Sequence, residues 1–531
     1  MRLLLILVGF LSFSVASAAE TGNCGTIVTP ANDDITSLNP LLATSDTNSQ
    51  AAALMYLGLI WLGANGIDWS RSIASAVTTP DQGTTYLITL RSWHWSDGVP
   101  VSAADVVYSF GIIKALDGAT VGNGSNGFPG IIRTLTALDA THLKIELNRR
   151  ANPSWFAANC LDHLIPVPQH DWSRYDIDQL WQAQTTPAFF SVIDGPLRVA
   201  RLDPDQDAVF IPNPAYEGTK MHFQRLIFPF LDNNNAGVQG VASGDLDFAG
   251  LANDLWKAAQ NLPGTYLVAQ PAIGWSNIVL NFRNPATPFF DDVRVRQAME
   301  DSIDQSDMIK VVFHGTGSPV YAPLPALPLA LLSPEFRSGN LPVGYDRSSA
   351  RKLLEQAGYR PGPDGVMRKD GHSLTFVMLY GAGDSDELQE TEFVQANLRQ
   401  TGIDMRVRSI EFDQMLALLD GPPAGWQAAL VNIAGGSYPS GATLFATGGA
   451  ENFGGYSDEK MDALIEASEY DTGLDGLFAY EDYIISQQPS ITFASPANMV
   501  LVRDRLRGVA KFIDAETNQY PDLLHCTKAY P

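Results

Sequence analysis

Between Thr84 and Arg91 apolar and polar positions alternate, with Tyr86, Ile88 and Leu90 on one side, the two-residue period of a half-buried strand. The period then lengthens. Ser102 opens a helix, Asp105 three residues on makes an approximate capping box, and Val106, Val107, Phe110 and Ile113 form the apolar stripe. A clearer unit lies between residues 346 and 410. Ala350, Leu353, Leu354 and Ala357 line a helical face that Gly358 ends as a left-handed cap. A strand over Ser373–Leu379 follows, with Leu374, Phe376 and Met378 alternating. A helix from about Glu387 to Thr401 stops at Gly402, and Ile403, Met405 and Val407 alternate as another strand. Strand, helix, strand is a crossover unit, so the pattern predicts a mixed α/β sheet covered by helices, with a ligand crevice near the strand ends. A further helix is expected from Ser457, with Met461, Leu464 and Ile465 facing inward.

The N-terminus has a different pattern. Met1-Arg2 precede an apolar run from Leu3 to Leu11, and the small triplet Ala16-Ser17-Ala18 follows, the layout of a secretory signal cut before Ala19. The run is short for a membrane span, and Cys24 lacks a lipoprotein setting, so the mature protein is expected to be exported and free. Export permits one disulfide among Cys24, Cys160 and Cys526 with a thiol left over. The wide spacing allows no CxxC or zinc ribbon, and Cys24 with Cys526 is the favoured of the open pairings.

With 531 residues and 45% hydrophobic content, the chain reads as a soluble globular protein of two or three lobes. Its 58 acidic and 34 basic side chains give a formal charge of -24, which argues against a nucleic-acid partner and would repel anionic membranes. Losing Arg2 with the signal takes -24 to -25.

Local catalytic patterns fail. Gly122-x-Gly124-x-x-Gly127 has no strand before it, and Pro129 stands where a helix should be established, so it reads as a loop rather than a dinucleotide fingerprint. No GxxxxGK[ST], HExxH, GxSxG or EF-hand spacing occurs, and the eight histidines are scattered, so neither catalytic nor metal residues are assigned. Asp33-Asp34 and Asp291-Asp292 are adjacent, point apart, and read as turn or cap residues. No cofactor is expected.

Four stretches carry a family resemblance. Leu90-Arg91-Ser92-Trp93-His94-Trp95-Ser96-Asp97-Gly98-Val99-Pro100-Val101-Ser102-Ala103-Ala104-Asp105-Val106 resembles the signature of the peptide/nickel class (family 5) of extracellular solute-binding proteins that feed ABC importers. Asn281-Phe282, Pro288 through Ala298, Ile303-Asp304 and Gly315 are similar to the same family's central region. Tyr345-Asp346 through Gly358-Tyr359, and Asn452-Phe453-Gly454-Gly455-Tyr456-Ser457-Asp458 with Met461-Asp462 and Leu464-Ile465, complete it. Most of these residues also have scaffold readings: Asp97-Gly98 is a turn, Asp292 caps a helix, and Arg294 and Arg296 are expected to pair with nearby carboxylates.

The resemblance implies an α/β, two-lobe periplasmic binding protein of type II, cluster C-like, with a hinge between the lobes and an extra subdomain in the first. Projected onto this chain, 1–18 is the signal. Residues 19–59, 191–272 and 496–531 form lobe I, 60–190 its extra subdomain, and 273–495 lobe II. Such a protein, a monomer and no enzyme, captures a peptide or peptide-sized polar solute by lobe closure and delivers it to an ABC permease in the inner membrane. Ligand then shifts the open/closed balance.

Peptide-binding relatives place an aspartate near a tryptophan to pair with the peptide's amino group. Between Trp426 and Pro439 this chain has no acid, so Asn432, Ser437 and Tyr438 point to a neutral polar or aromatic-stacking ligand in that corner. Asn48, Trp275, Asn277 and Tyr321 are the other expected ligand contacts, with turn or core packing as the plain alternatives. A metal or metal-chelate receptor of the same fold, testable at His163, His170 or His222, and a secreted hydrolase are the competing functions.

Overall fold

The computed structural model describes residues 22–528 apart from 32, 43–44, 64, 117–126, 205, 232–233, 253–254, 271–273, 325–328, 340, 342, 384, 434–437 and 514–517. The expected signal sequence, Gly122, Gly124 and Ser437 lie outside the described residues.

β1 (Thr26–Val28) is the edge of a four-stranded sheet whose other strands come much later in the chain. An antiparallel unit is inserted first. It holds β2 (Ala74–Thr78), β3 (Thr85–Leu90), helix α1 (Ala103–Ala115), β4 (Ile132–Ala137) and β5 (His142–Leu147), in the strand order β2-β3-β5-β4. The alternation in β3 buries Tyr86, Ile88 and Leu90 and leaves Leu87 exposed. The Asp105 carboxylate accepts from Ser102 N at 2.8 Å, closing the capping box at the start of α1. The first sheet resumes with β6 (Leu197–Asp203), β7 (Asp207–Pro212) and β8 (Arg225–Pro229), in the order β1-β8-β7-β6. β9 (Phe248–Gly250) and β10 (Thr265–Gln270) then flank a strand that the C-terminal part of the chain brings back.

Past β10 the chain crosses into a second sheet. β11 (Trp275–Leu280) leads to α2 (Val293–Asp301) and α3 (Arg347–Gln356). The crossover β12 (Thr375–Gly381), α4 (Ser385–Thr401) and β13 (Asp404–Ile410) has parallel strands, as the sequence pattern predicts. α5 (Phe412–Leu419), β14 (Ala428–Ile433), α6 (Glu459–Tyr470), α7 (Asp475–Gln487) and β15 (Ser490–Thr492) complete this lobe. The strand order is β13-β12-β14-β11-β15, with β12 parallel to both its neighbours and β11 antiparallel to both of its own. On one face Ile278, Leu280, Phe376, Met378 and Leu430 pack with Val295 and Met299 of α2 and Val394 and Leu398 of α4. On the other, Met415 and Leu419 of α5 cover Leu379 and Ala429. β16 (Asn498–Arg503) returns between β9 and β10, so the chain passes between the two lobes once after β10 and again after β15.

Cys24 and Cys526 form the disulfide, tying the start of the described chain to its end, and Cys160 is buried and free. Two local expectations are corrected. The helix expected from Ser457 begins at Glu459, because the Asp458 carboxylate accepts from Lys460 N and Met461 N at 2.9 Å. Arg294 pairs with Asp292 at 2.6 Å as expected, but Arg296 turns inward, 3% exposed, and meets backbone carbonyls instead of a carboxylate. It donates to Gln487 O and Gln488 O at 2.9 and 3.1 Å, and to Phe290 O and Asp291 O at 2.7 and 3.1 Å. The last carbonyls of α7 lack helical partners, and a guanidinium supplies donors in a fork that fits them. No helix among the described residues is long and apolar enough to cross a membrane.

Candidate functional site at the crossing edge of the second sheet

β12 sits inside the second sheet, with β13 on one side and β14 on the other. The chain leaving β12 heads into α4 toward β13, while the chain leaving β14 departs elsewhere, so the carboxyl ends of β12 and β14 flank a topological switch point. A crevice opens at such a point because the two connections diverge. β11 runs antiparallel beside β14, so its first residues share this edge.

The register brings three of the expected residues together here: Trp275 pairs with Ile433, Ser276 with Asn432, and Asn277 with Val431. Side chains alternate along β11. Ser276 shares a face with Ile278 and Leu280, and its Oγ donates to Asn432 Oδ1 at 2.8 Å. Asn277 points to the other face, 2% exposed, and donates to Val431 O at 2.9 Å. That face opens on a narrow recess of about 20 Å³ lined by Asn277, Ile433, Phe445, Asn452, Tyr456 and Ser490. Trp275 is 5% exposed, and its indole N–H has no hydrogen-bond partner among the described residues.

The corner that lacks an acid in local sequence gains one in three dimensions. Asn432 is exposed, and its Nδ2 donates to Glu387 Oε1 at 3.0 Å. Glu387 stands in the first turn of α4, and its Oε2 accepts from Gly381 N, the last residue of β12, at 2.8 Å. A Cβ on Gly381 would fall 2.8 Å from that oxygen, so an alanine there would make the flexible end of the carboxylate side chain shift. Ser276, Gly381 and Glu387 were not singled out from sequence. Their signal is weak there: a glycine ending a strand and an acid opening a helix are commonplace, and only the strand order sets them beside Asn432.

The other expected residues have different surroundings. Asn48 is buried, with Oδ1 accepting from Thr36 N and Ser37 N at 2.9 and 3.0 Å and Nδ2 donating to Thr36 Oγ1 at 3.0 Å, so its amide braces a loop. Tyr438 is 6% exposed in the large core that includes α6 and α7, and its hydroxyl donates to Ser468 O at 2.6 Å. Burial pushes that hydroxyl's pKa up, with Glu469 and Glu481 adding to the effect. Tyr321 is half-buried, its pKa raised by burial first and by Glu300 and Asp304 next, and its carbonyl accepts from Gln488 Nε2 at 3.1 Å.

The lobes also touch away from this edge. Asn152, in the chain between β5 and β6, donates from its backbone to Glu469 O at 2.7 Å and from Nδ2 to Asp471 O and Gly473 O at 2.9 and 2.5 Å. The Arg149 guanidinium lies 3.5 Å over the Tyr470 ring, and Arg150 reaches Asp471 at 3.3 Å. Trp256, between β9 and β10, stacks on His314 of the second lobe at 5.4 Å between ring centres.

Among the described residues no group of three or more His, Cys, Asp or Glu side chains is placed to hold a metal ion. Burial lowers the His163 pKa to about 4, His170 meets Asp97 at 2.8 Å, and His222 lies beside the ring of His525.

The sequence profile described as bacterial extracellular solute-binding proteins, family 5, middle region, matches residues 38–478. The chain is 20% identical to the oligopeptide-binding protein AppA of Bacillus subtilis over 91% of its own length and 90% of that protein. The structure of that AppA with a nonapeptide matches 96% of this chain and 100% of its own, with a TM-score of 0.67 and 18% identity. The ABC transporter substrate-binding protein CtaP of Listeria monocytogenes matches 96% of this chain and 100% of its own at a TM-score of 0.79 and 17% identity. NikZ of Campylobacter jejuni, solved with Ni(L-His), matches 94% of this chain and 97% of its own at 0.68 and 21%.

Proposed function

The chain belongs to the bacterial extracellular solute-binding proteins of family 5, and we propose that it captures a peptide or peptide-sized polar solute between its lobes for an ABC permease. The observation that carries this reading is the switch point between β12 and β14, with β11, the first strand of the second sheet, antiparallel beside β14. A ligand held there meets the second lobe through Glu387 and Asn432, and meets the first lobe only when the lobes close. Closure therefore gains contacts that the open state lacks. Moving a population from 1:99 to 99:1 takes about 5.5 kcal/mol of differential affinity, within reach of several buried hydrogen bonds and one charge-assisted pair. No covalent step is involved, and no enzymatic role is assigned.

The lobe boundaries that go with this reading are 19–59, 191–272 and 496–531 for lobe I, 60–190 for its subdomain and 273–495 for lobe II. The protein acts as a monomer in the periplasm after cleavage before Ala19. Sequencing the N-terminus of the exported protein checks that site: a first residue other than Ala19, or an uncleaved chain, refutes it.

Mass spectrometry of the small molecules released on denaturing the exported protein, followed by thermal-shift titration with what is found, tests the function. Peptides or another polar compound that raise the melting temperature support it. A stoichiometric metal released with a small chelator favours the second reading, a metal-chelate receptor, for which the fold likeness to NikZ is the motive. Turnover of an added substrate overturns both.

A further inference from the structure

The contact around Asn152 buries an ionisable group between the lobes. Glu469, near the end of α6, is 7% exposed, and its backbone carbonyl accepts from Asn152 N at 2.7 Å. From the second lobe the buried Ser440 donates from Oγ to Glu469 Oε1 at 2.9 Å. From the first lobe the buried Trp155 packs on the same turn, its ring 5.9 Å from that of Tyr470, and the Arg149 guanidinium lies over Tyr470 and donates to its hydroxyl. The charged and titratable groups around the carboxyl are Arg149 and Arg150 from the first lobe, Glu466, Tyr470 and Asp471 from α6 and its end, Tyr438 from the segment before α6, and Glu481 from α7. Both cations have another partner, Arg149 the Tyr470 hydroxyl and Arg150 the Asp471 carboxylate at 3.3 Å. An enclosed carboxylate keeps its charge at a desolvation cost that a serine and a shared guanidinium offset only in part. Burial accordingly pushes the Glu469 pKa up, against the pull of Ser440, Tyr470, Trp155 and Arg149. Parting the lobes takes Asn152, Trp155 and Arg149 away from this turn and opens the carboxyl to water.

We propose that this contact is a proton-linked latch: Glu469 takes up a proton as the lobes close and releases it as they part. The latch rests on lobe closure in the solute-capture reading above. A proton held more tightly by the closed state favours closure as pH falls. The gain is full below the ordinary carboxyl range and is lost as pH rises through the raised value. One linked proton changes the open/closed ratio by at most about tenfold per pH unit. A solute held by both lobes selects the closed form, so its capture is favoured in acid surroundings.

The test uses the full-length mature protein freed of bound solute, with spin labels at Thr136→Cys and Lys352→Cys, exposed positions in the two lobes. Distance distributions are compared at about pH 5 and about pH 7.5. The native chain should shift toward the short, closed distance at the lower pH, by about threefold or more in the open/closed ratio. Glu469→Gln keeps the shape and an acceptor for Ser440 but cannot titrate, so its ratio should be the same at both. Arg149→Gln removes the charge that opposes proton uptake, so the midpoint of the response should move to higher pH, which loss of a merely structural contact would not do. Glu481→Gln is the control: burial lifts that carboxyl to about 7, but its partner, Ser333 N at 2.8 Å, belongs to the second lobe, so the response should survive. No response in the native chain, a response as large in Glu469→Gln, an unmoved or lowered midpoint in Arg149→Gln, or loss of the response in Glu481→Gln overturns the latch. A distance that moves with the solute recovered from the native protein but not with pH overturns the latch and leaves solute capture standing. A distance that moves with neither overturns lobe closure, and the latch falls with it.

Discussion

Asn152 is the residue through which lobe contact can be weakened without touching the candidate ligand edge. It is 1% exposed, and its two side-chain ends do different work. Oδ1 accepts from Ser154 N at 2.9 Å and caps the short helix Pro153–Phe156, while Nδ2 donates to Asp471 O and Gly473 O across the lobes. Asn152→Asp keeps the cap, since aspartate caps as well as asparagine, and replaces both cross-lobe donors by an acceptor facing two carbonyls. Asn152→Ala loses cap and donors together. At about 1 kcal/mol for each lost bond the closed state weakens by about 2 kcal/mol, and by more where a carbonyl is left buried and unsatisfied. About 2 kcal/mol is about a 30-fold shift in the open/closed ratio. The readout is the distance distribution between labels at Thr136→Cys and Lys352→Cys, two exposed positions in the two lobes. Asn152→Asp should move the ligand-free population to longer distances and weaken binding of the solute recovered from the native protein by about the same factor. Asn152→Ala should add a loss of about 1 kcal/mol in unfolding stability from the missing cap. If Asn152→Asp leaves both distances and affinity unchanged, the contact persists in the open state and the subdomain moves with the second lobe.

Three further outcomes follow from the same structure. Arg296→Ala should cost about 3 kcal/mol in urea unfolding, because four backbone carbonyls lose a buried guanidinium, whereas Arg294→Ala, at a solvent-screened pair, should cost far less; equal costs would refute the distinction. Cys24→Ser with Cys526→Ser opens a loop with a sequence separation of 502, for which the chain-entropy account gives about 6 kcal/mol, and an unchanged melting temperature would refute a stabilising role. Burial raises the Asp194 pKa to about 8, against the pull of its hydrogen bond from Leu57 N and of Arg91. The folded state then holds a proton that the unfolded state releases near pH 4, so this contribution is full below pH 4 and is lost as pH rises toward 8. Asp194→Asn should therefore raise the melting temperature relative to the native chain by several degrees more at pH 8 than at pH 5, and a pH-independent difference would refute the assignment.

Local pattern in the sequence determined a good deal. The strand over Tyr86, Ile88 and Leu90, the Ser102 cap, the helix ended by Gly358 and the crossover from Thr375 to Ile410 were all legible, because apolar spacing and cap chemistry act within a few residues. The resemblance carried by four stretches gave the two-lobe architecture, which the family profile and the fold likenesses bear out. Where pattern misled, a tertiary partner decided. Nothing near Arg296 in sequence announces the end of α7, whose open carbonyls draw it inward. Glu387 read only as the start of a helix because charge acts through space: the order β13-β12-β14-β11-β15 sets Gly381 and Asn432 side by side, 51 positions apart in number, and so brings an acid to a strand that carries none. Sequence fixes which side chains a segment offers, but strand order and lobe contact fix which of them meet. The chemistry of a cleft belongs to that second level, since its groups come from elements that share no local pattern.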